Sequence, residues 1–293
     1  MKRRYFLKLL GLSALFHRWL LTEAAAATGP VVAVAEGSDY AQITRNAIGA
    51  VGGMRRFVKS GDVVVVKPNI GWDRNSEQAA NTNPVVVRTV VEEALKAGAK
   101  KVKVFDRTCN DERRCYVNSG MAAALKGMNN VDFKYIENER FRKVELKGKV
   151  LSEWELYDEA LNADVFINVP VAKHHGLTKL TLGLKNVMGV MGGNRGAIHK
   201  NIDEALADVN SVLKSHLVVV DATRVLTAHG PQGGNLRDVK VLNKVLASTD
   251  IVAADAYATT LFGHRPEDIS VTVAAHKRGL GEINLKKVRV VKA

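Results

Sequence analysis

Short runs rich in valine recur along this chain of 293 residues, and several of them are apolar at every position. Such runs are typical of strands that a sheet buries on both faces. Between them lie stretches with the apolar periodicity of helices. Strands are predicted at 31–34, 63–66, 102–105, 165–169, 217–220 and 288–291, and helices at 40–58, 84–97, 118–126, 202–213 and 251–262. The alternation predicts an α/β fold with a mostly parallel sheet flanked by helices.

Two further segments near the middle of the chain, 132–137 and 142–147, alternate polar and apolar residues. This period of two predicts a small antiparallel insertion, either a hairpin or a sheet edge, with one face in solvent. The sequence contains no repeat, low-complexity tract or long linker that would mark a domain boundary. Residues 28–293 are therefore predicted to form a single α/β domain.

The first 27 residues resemble a twin-arginine signal peptide. Arg3 and Arg4 precede one spacer residue and then Phe6-Leu7-Lys8, and the alanines at 24–27 offer small-residue cleavage sites. Arg18 interrupts the apolar stretch, which is shorter than the ~20 residues of a membrane-spanning helix. The resemblance implies export by the twin-arginine translocase to the periplasm or another extracytoplasmic compartment. Cleavage of the segment and its retention as an anchor both stay open.

The chain is basic, with a formal net charge of +13, of which the five basic residues and one acidic residue of 1–27 contribute four charges. A basic balance suits nucleic acid, an anionic surface or a small anion. No helix-turn-helix, zinc-finger or aromatic-studded RNA-binding pattern is present, so no nucleic-acid partner is expected. The expected ligand is a small anionic molecule or a metal, and a redox protein is a further candidate partner.

Polar residues directly follow four of the predicted strands. The second strand is followed by Lys67-Pro68-Asn69-Ile70-Gly71-Trp72-Asp73 and the third by Asp106-Arg107-Thr108-Cys109. The fourth is followed by Lys173-His174-His175-Gly176 and the fifth by Asp221-Ala222-Thr223-Arg224. The carboxyl ends of parallel strands share one edge of a sheet, and ligands of open α/β sheets bind outside that edge. The sequence therefore predicts one ligand site at this edge.

The densest polar segment, 168–189, contains Lys173-His174-His175-Gly176 and Gly183-Leu184-Lys185-Asn186. The other motifs are Lys67-Pro68-Asn69, Asn83-Pro84, His199, and Asp221 followed by Gly230-Pro231 and Gly233-Gly234. Their order resembles the domain-of-unknown-function 362 family across nearly the whole chain after residue 27. The resemblance implies no assigned activity. Some members of that family carry iron–sulfur ferredoxin segments, but this chain lacks the C-x2-C-x2-C-x3-C run that such a segment needs. The Lys- and His-rich loop also has a distant similarity to nickel-pincer racemases, without a shared motif.

Histidines offer one kind of chemistry, the binding of a transition metal. The candidate metal ligands are His174, His175, His199 and Asp221, with Asp106 or His229 as alternatives to Asp221. Neighbouring residues of an extended segment point to opposite sides, so one of His174 and His175 is expected to face the ion. The alternative is that these are ordinary polar histidines at strand and helix ends.

Basic residues and glycines offer a second kind of site, a cationic floor for a carboxylate or phosphate. The candidate residues for binding an anion or cofactor are Lys67, Asn69, Lys173, Asn186, Gly192, Gly193 and Arg195. A flexible surface loop is the alternative for the glycines. Lys185 lies among apolar residues, where burial would lower the pKa of its ammonium and fit it to act as a base; otherwise its charged end reaches water. His175 and Lys185 are the candidate catalytic residues.

Cys109 and Cys115 are the two cysteines of the chain. An oxidising compartment favours a disulfide between them. Folding before export would instead leave their thiolates available to a metal or to redox chemistry.

These patterns lead to two main hypotheses about function. The first is a redox or isomerising enzyme that binds a metal or another cofactor, and it requires His175, His199, Lys185 and Asp221 to share a pocket. The alternative is a non-catalytic periplasmic protein that binds a carboxylate or phosphate, for which lysines and glycines around a cavity suffice. A structural partner of a redox complex is a third option and would need an exposed apolar patch.

Overall fold

The computed structural model describes residues 29–293, so the predicted signal peptide lies outside the described residues. Within this range the chain forms twelve strands and nine α-helices. The strands are β1 (Val31–Glu36), β2 (Val63–Pro68), β3 (Lys101–Val104), β4 (Val131–Phe133), β5 (Phe141–Glu145), β6 (Glu153–Tyr157), β7 (Val165–Val169), β8 (Val171–His175), β9 (Lys179–Thr181), β10 (Leu217–Leu226), β11 (Val239–Ser248) and β12 (Arg289–Lys292). The helices are α1 (Tyr40–Ala50), α2 (Pro84–Ala97), α3 (Glu112–Asn118), α4 (Met121–Leu125), α5 (Asp158–Leu161), α6 (Gly183–Asn186), α7 (Ile202–Val212), α8 (Ile251–Thr260) and α9 (Ser270–Lys277).

Ten strands of the described chain form one sheet in the order β12-β1-β11-β10-β7-β2-β3-β4, with β8 beside β10 and β9 beside β8. Neighbours from β10 through β4 are parallel, whereas β11 is antiparallel to both β1 and β10. Strands β5 and β6 form a separate antiparallel pair. The predicted fold class, a mostly parallel sheet flanked by helices with a small antiparallel insertion, is confirmed.

Apolar clusters cover both faces of the large sheet. In β2, Val64 and Val66 pack in a cluster with residues of α1 and α2. Val65 points to the opposite face and belongs to a second cluster with residues of α7, α8 and α9. Because successive side chains of a strand alternate between faces, a strand covered on both sides must be apolar throughout. This is why β2 begins with four consecutive valines.

The predicted segment 142–147 overlaps β5 of the antiparallel pair, whereas 132–137 does not belong to that pair. Residues 131–133 form β4, which pairs in parallel with β3 at the end of the large sheet. The hairpin partner of β5 is β6, with Phe141 opposite Tyr157 and Glu145 opposite Glu153. A strand at the end of a sheet also presents one face to solvent, so the polar alternation of 132–137 fits an edge strand as well as a hairpin.

Two predicted helices differ from the observed ones, and glycines account for both differences. The helix predicted at 40–58 stops at Ala50, because Gly52 and Gly53 adopt φ angles of 106° and 76° that leave the helical region. The helix predicted at 118–126 is replaced by α3 and α4, which Gly120 separates with a φ of 80°. Strand β11 was not predicted, because its first half is only partly buried and alternates lysines with apolar residues.

The parallel strands bring their carboxyl ends to one edge of the sheet, as the sequence predicts. Lys67 lies near the end of β2, Lys173 and His175 lie in β8, and Asp106 follows β3. Helix α6, just after β9, brings Lys185 to the same edge. Between residues 29 and 293 there is no helix with the length and apolar character needed to cross a membrane.

Candidate functional site

A cavity of about 460 Å³ lies at the carboxyl edge of the sheet. Its lining is rich in cations: Lys67, Arg107, Lys173, Lys185 and Arg195, with His175 and His199 beside them. Among residues 29–293, Asp106 is the one carboxylate that lines the cavity. A water-excluding wall strengthens the field of such an excess of positive charge. The cavity therefore suits a small anion.

The floor of the cavity holds a buried ion pair. Lys67 Nζ lies 2.8 Å from Asp106 Oδ1 and donates a hydrogen bond to Asn186 Oδ1 at 2.9 Å. The second carboxylate oxygen of Asp106 accepts from the backbone N–H of Ile70 at 2.6 Å. Burial lowers the pKa of Lys67, and the charge of Asp106 partly opposes that shift. A side chain at Gly189 would overlap both Asp106 Oδ1 and Lys67 Nζ, so the pair requires a glycine there.

Lys173 is the second buried lysine of the cavity, with 1% of its surface exposed. Its ammonium donates to Asn69 Oδ1 at 3.2 Å and to the carbonyl oxygen of Ala80, and it lies 5.9 Å from the centre of the Trp72 ring. It has no carboxylate within ion-pair distance among the described residues. Burial therefore lowers the pKa of Lys173 to about 7.

Lys185 is the third buried lysine, and α6 carries it into the cavity. The carboxylate of Asp255 holds this short helix by accepting from the backbone N–H groups of Gly183 at 2.8 Å and Leu184 at 2.9 Å. Within residues 29–293, the one hydrogen-bond partner of the Lys185 ammonium is the Met188 sulfur at 3.1 Å. Burial lowers the pKa of Lys185 to about 8.

His175 is held in one neutral form. Its Nδ1 accepts from the backbone N–H groups of Leu177 at 3.1 Å and Thr178 at 3.4 Å, so the ring proton is on Nε2. Burial, together with the charges of Lys185 and Lys173, lowers the pKa of His175 to about 3. The side chain lines the cavity. His175 therefore offers a hydrogen-bond donor to a ligand rather than a lone pair.

His199 has the opposite arrangement. Its Nδ1 lies 2.8 Å from the carbonyl oxygen of Gly196, which accepts a hydrogen bond and so places a proton on Nδ1. In the neutral ring Nε2 then holds the lone pair. The cavity thus contains one imidazole fixed as a donor and one that can accept a proton.

Anion binding at this site is expected to weaken as the pH rises from 6 to 9. Lys173 and Lys185 carry their charges only below pKa values of about 7 and about 8, whereas exposed lysines stay charged to about pH 10. Acetate keeps a constant charge over this range, and its affinity should fall about tenfold or more because charge-assisted hydrogen bonds are lost. Calorimetric titration with acetate at several pH values measures this. Lys185→Arg stays charged and should weaken the dependence near pH 8; an unchanged affinity across the range would contradict the prediction.

The structure brings together most of the residues that the sequence singles out. The cavity is lined by Lys67, Asn69, Lys173, His175, Lys185, Asn186, Arg195 and His199. Asn186 links several of them, because its Oδ1 accepts from Lys67 and from Asn69 and its Nδ2 donates to Asn168.

Four of the predicted site residues lie outside the cavity. Asp221 is buried and accepts from the backbone N–H of Asn83 at 2.7 Å and from the Thr223 hydroxyl at 2.7 Å, so it ties the start of α2 to β10. His174 accepts from the backbone N–H of Gly230 at 3.1 Å. The other two are glycines.

Gly192 and Gly193 lie beside the small antiparallel sheet. The backbone N–H of Gly192 donates to the Glu155 carbonyl oxygen at 2.8 Å, and a side chain there would contact the Phe141 ring. Their role in the structure is to let this loop pack against β5 and β6. Gly189 and Gly196 are the loop glycines that line the cavity.

The four predicted metal ligands do not come together as a set, because His175 and His199 line the cavity whereas His174 and Asp221 do not. In the part of the chain that the structure describes, no group of three or more His, Cys, Asp or Glu side chains is placed to hold an ion. The requirement that His175, His199, Lys185 and Asp221 share one pocket is met by the first three, with Asp106 as the carboxylate in place of Asp221. The alternative ligand His229 forms a hydrogen bond with Asp238 and does not line the cavity.

The expected disulfide between Cys109 and Cys115 is not formed, since both cysteines are free. Cys109 is exposed and lines the cavity, whereas Cys115 lies in α3 within an apolar cluster. Burial raises the pKa of Cys115 to about 11. The two cysteine side chains thus lie in different surroundings, Cys109 in the cavity and Cys115 in the core.

Trp72 and Arg107 line the cavity but were not among the predicted site residues. Trp72 lies four residues beyond the end of β2, and Arg107 follows Asp106 after β3. Both belong to segments that the sequence places at this edge of the sheet, but their residue types alone did not mark them as candidate site residues.

Comparisons with known proteins agree with this architecture. A thylakoid-associated protein of Synechocystis sp., sll1697, is 28% identical over 244 residues, which cover 80% of this chain and 74% of the relative. The structure of the lactate racemase apoprotein from Thermoanaerobacterium thermosaccharolyticum superposes with a TM-score of 0.52 at 10% identity. The match covers 80% of this chain but 57% of the racemase chain, so it shows a shared fold over little more than half of that protein. The family described as "Domain of unknown function (DUF362)" matches residues 64–260, a range that contains every residue of the cavity described above, and the chain belongs to this family.

Proposed function

We propose that this protein is an enzyme that binds a small carboxylate and isomerises it by moving a proton at the carbon next to the carboxylate. The observation that carries the proposal is the pairing of His175 and His199 in one cationic cavity, with their ring protons fixed on opposite nitrogens. One ring can stabilise negative charge on a substrate oxygen, and the other can accept a proton.

Binding of the carboxylate falls to the buried cations. Lys173 and Lys185 lie in the cavity without a carboxylate partner among residues 29–293, and Arg195 lines its wall. A substrate carboxylate would supply the missing negative charge and accept charge-assisted hydrogen bonds from them. The Lys67–Asp106 pair is already neutralised, so its role is to position Asn186 rather than to bind the anion.

Proton transfer is assigned to His199 and Lys185. His199 Nε2 accepts the proton from the substrate carbon, while His175 Nε2–H donates to the oxygen on which negative charge develops. A group with a pKa near the working pH both gives and takes a proton efficiently. Lys185, whose burial lowers its pKa to about 8, meets this condition and returns the proton to the carbon.

The fold similarity to a lactate racemase apoprotein supports an isomerase and makes 2-hydroxycarboxylates the first substrates to test. That structure is of an apoprotein, which is a protein without its cofactor. Among residues 29–293, the metal-binding donors that line the cavity and are left over are His199 Nε2 and the Cys109 sulfur. His175 Nε2 carries a proton, Asp106 is paired with Lys67, and the Met188 sulfur accepts from Lys185. Two donors fall short of the three protein ligands that a catalytic metal commonly has. No proposed step therefore uses a metal.

A non-catalytic binding protein for a carboxylate or phosphate is the second candidate. Five lysine and arginine side chains face the cavity against one carboxylate, and this excess alone suffices for anion binding. The two candidates differ in whether a bound carboxylate exchanges the hydrogen on its second carbon.

The test is incubation with single enantiomers of lactate and of larger 2-hydroxycarboxylates in deuterated water. We expect the optical purity to fall and deuterium to appear at the second carbon. Chiral chromatography measures the first change and proton NMR the second. His199→Gln removes the proton acceptor and should slow exchange by about 100-fold or more, the usual contribution of a general base. Binding without exchange would favour the second candidate, and neither binding nor exchange would contradict both.

We further propose that the chain is exported by the twin-arginine translocase, on the evidence of Arg3-Arg4 and the residues after them. Replacing both arginines with lysine keeps the charge but should retain the protein in the cytoplasm. Cell fractionation and immunoblotting of both forms measure this, with the mobility of the unaltered chain showing whether residues 1–27 are removed. Equal distribution of the two forms would contradict the proposal.

A further inference from the structure

Cys109 occupies a place in the cavity that the proposed reaction does not use. The residue follows β3, and its backbone N–H donates to the Gly71 carbonyl oxygen at 2.8 Å. This hydrogen bond joins the loop after β3 to the loop after β2. The side chain is exposed and lines the cavity.

The sulfur of Cys109 is held beside a fixed cation. Arg195 Nη2 lies 3.5 Å from Sγ, within hydrogen-bond distance. The same guanidinium donates to the carbonyl oxygens of Thr108 at 2.6 Å, Arg107 at 2.9 Å and Met188 at 3.1 Å. These backbone contacts fix the guanidinium, so a positive charge stays next to the sulfur.

Two deeply buried groups in the same cavity indicate an anionic ligand. Lys185 is 9% exposed, and apart from the Met188 sulfur its ammonium has no hydrogen-bond partner in residues 29–293. His175 is 7% exposed, and its Nε2–H likewise lacks a partner in the described chain. Lys185 thus has one weak sulfur acceptor and His175 Nε2–H has none, so an anion in the cavity would give both donors a strong acceptor.

Cys115 provides the contrast within the same chain. It is fully buried in an apolar cluster, and burial raises its pKa to about 11. Reactive cysteines lie in exposed, electropositive surroundings, whereas buried ones are inert. Cys109 has the exposed, electropositive surroundings of a reactive cysteine, and Cys115 does not.

We propose that Cys109 is a nucleophile that the cavity presents to small carboxylates carrying an electrophilic carbon. The carboxylate binds among the cations and places its neighbouring carbon near the sulfur. The sulfur forms a bond to that carbon, the bond from carbon to the leaving group breaks, and the leaving group departs with the bonding electrons. The thiol proton passes to water. The proposal rests on the anion-binding part of the proposed function, but not on isomerisation.

Iodoacetate and iodoacetamide test this directly, because they share the same leaving iodide and differ in the carboxylate. The unaltered protein is treated with each reagent, and the rate at each cysteine is followed by peptide mass spectrometry. N-acetylcysteine in the same buffer gives the preference of an ordinary thiol. We expect the ratio of iodoacetate to iodoacetamide rates at Cys109 to exceed that reference at least tenfold, and acetate to slow the reaction with iodoacetate. Cys115 should react only after unfolding.

Arg195→Gln removes the neighbouring charge and should bring the rate ratio toward the reference. Since Arg195 also holds three carbonyl groups, Lys185→Gln provides a second variant, which lowers the cavity charge and leaves those three hydrogen bonds in place. A Cys109 that reacts with neither reagent, or whose ratio equals that of N-acetylcysteine, would overturn the proposal. If Cys109 is unreactive while lactate exchanges deuterium, the nucleophile proposal is wrong and the isomerase proposal stands. If Cys109 reacts as expected while no carboxylate exchanges deuterium, the isomerase proposal is wrong and the nucleophile proposal stands.

Discussion

Asp106→Asn is expected to lower the free energy of unfolding by about 3–5 kcal/mol at pH 7, because it leaves a buried lysine without its counterion. Both side chains of the Lys67–Asp106 pair are almost fully buried, at 1% and 2% exposure. The amide oxygen of asparagine can still accept from the N–H of Ile70, so the change removes charge rather than a backbone contact. Denaturant titration at pH 7 measures the loss.

The pH dependence of this variant gives a further check. Without Asp106 the pKa of Lys67 falls further, so the folded variant binds fewer protons than the unfolded chain. Stability rises with pH wherever the unfolded chain binds more protons, and the gap to the unaltered protein should therefore narrow from pH 7 to pH 10. Glu153→Gln is the matched control, because it breaks the exposed Lys143–Glu153 pair and should change stability little. Equal losses in the two variants would show that burial of the Lys67–Asp106 pair is unimportant.

The fold could be predicted from the sequence where burial on both faces leaves a continuous apolar run. The valines of β2 and the apolar residues of β7 are such cases. The prediction failed where one face meets solvent. β11 lies between β1 and β10 yet mixes lysines with apolar residues, and β4 alternates as a hairpin strand would. Alternation of polar and apolar residues indicates that one face of a strand is exposed, but it does not predict which strand pairs with it.

The site could be predicted where residues follow strands, because the topology of a parallel sheet brings those positions together. Lys67, Asn69 and Lys173 are examples. The roles of the histidines could not be predicted in this way. Whether His175 accepts or donates depends on the direction of two backbone N–H groups in the turn after β8, a detail that sequence spacing does not contain. Asp221 shows that position alone is not sufficient. It lies where the sequence predicts a site residue, but its carboxylate anchors the start of α2.

Lys173→Met is expected to make the protein more stable at pH 6 while weakening its binding of acetate. The folded pKa of Lys173 is about 7, below the ordinary value of 10.5, so the unfolded chain binds the proton more tightly. The penalty of keeping the buried ammonium charged is fully present below pH 7 and disappears as the pH rises toward 10.5. One pKa unit corresponds to about 1.4 kcal/mol, so the penalty is on the order of several kcal/mol. Methionine of similar length removes it.

The same substitution should change the sign of its effect at high pH. Methionine cannot donate to the Ala80 carbonyl oxygen, and an unpaired buried acceptor costs about 1–3 kcal/mol. At pH 10 the neutral amine of Lys173 still donates without a charge penalty, so the variant should then be the less stable protein. Denaturant titrations at pH 6, 8 and 10 measure this change of sign, and Lys240→Met, at an exposed position of β11, should show none.

The affinity of the Lys173→Met variant for acetate at pH 6 should fall at least tenfold through loss of a charge-assisted hydrogen bond. A variant that binds acetate normally would show that Lys173 does not bind the ligand, and one that is less stable at pH 6 would show that the charged side chain supports the fold. The expected result would mean that the protein keeps an unfavourable buried charge because that charge binds an anion.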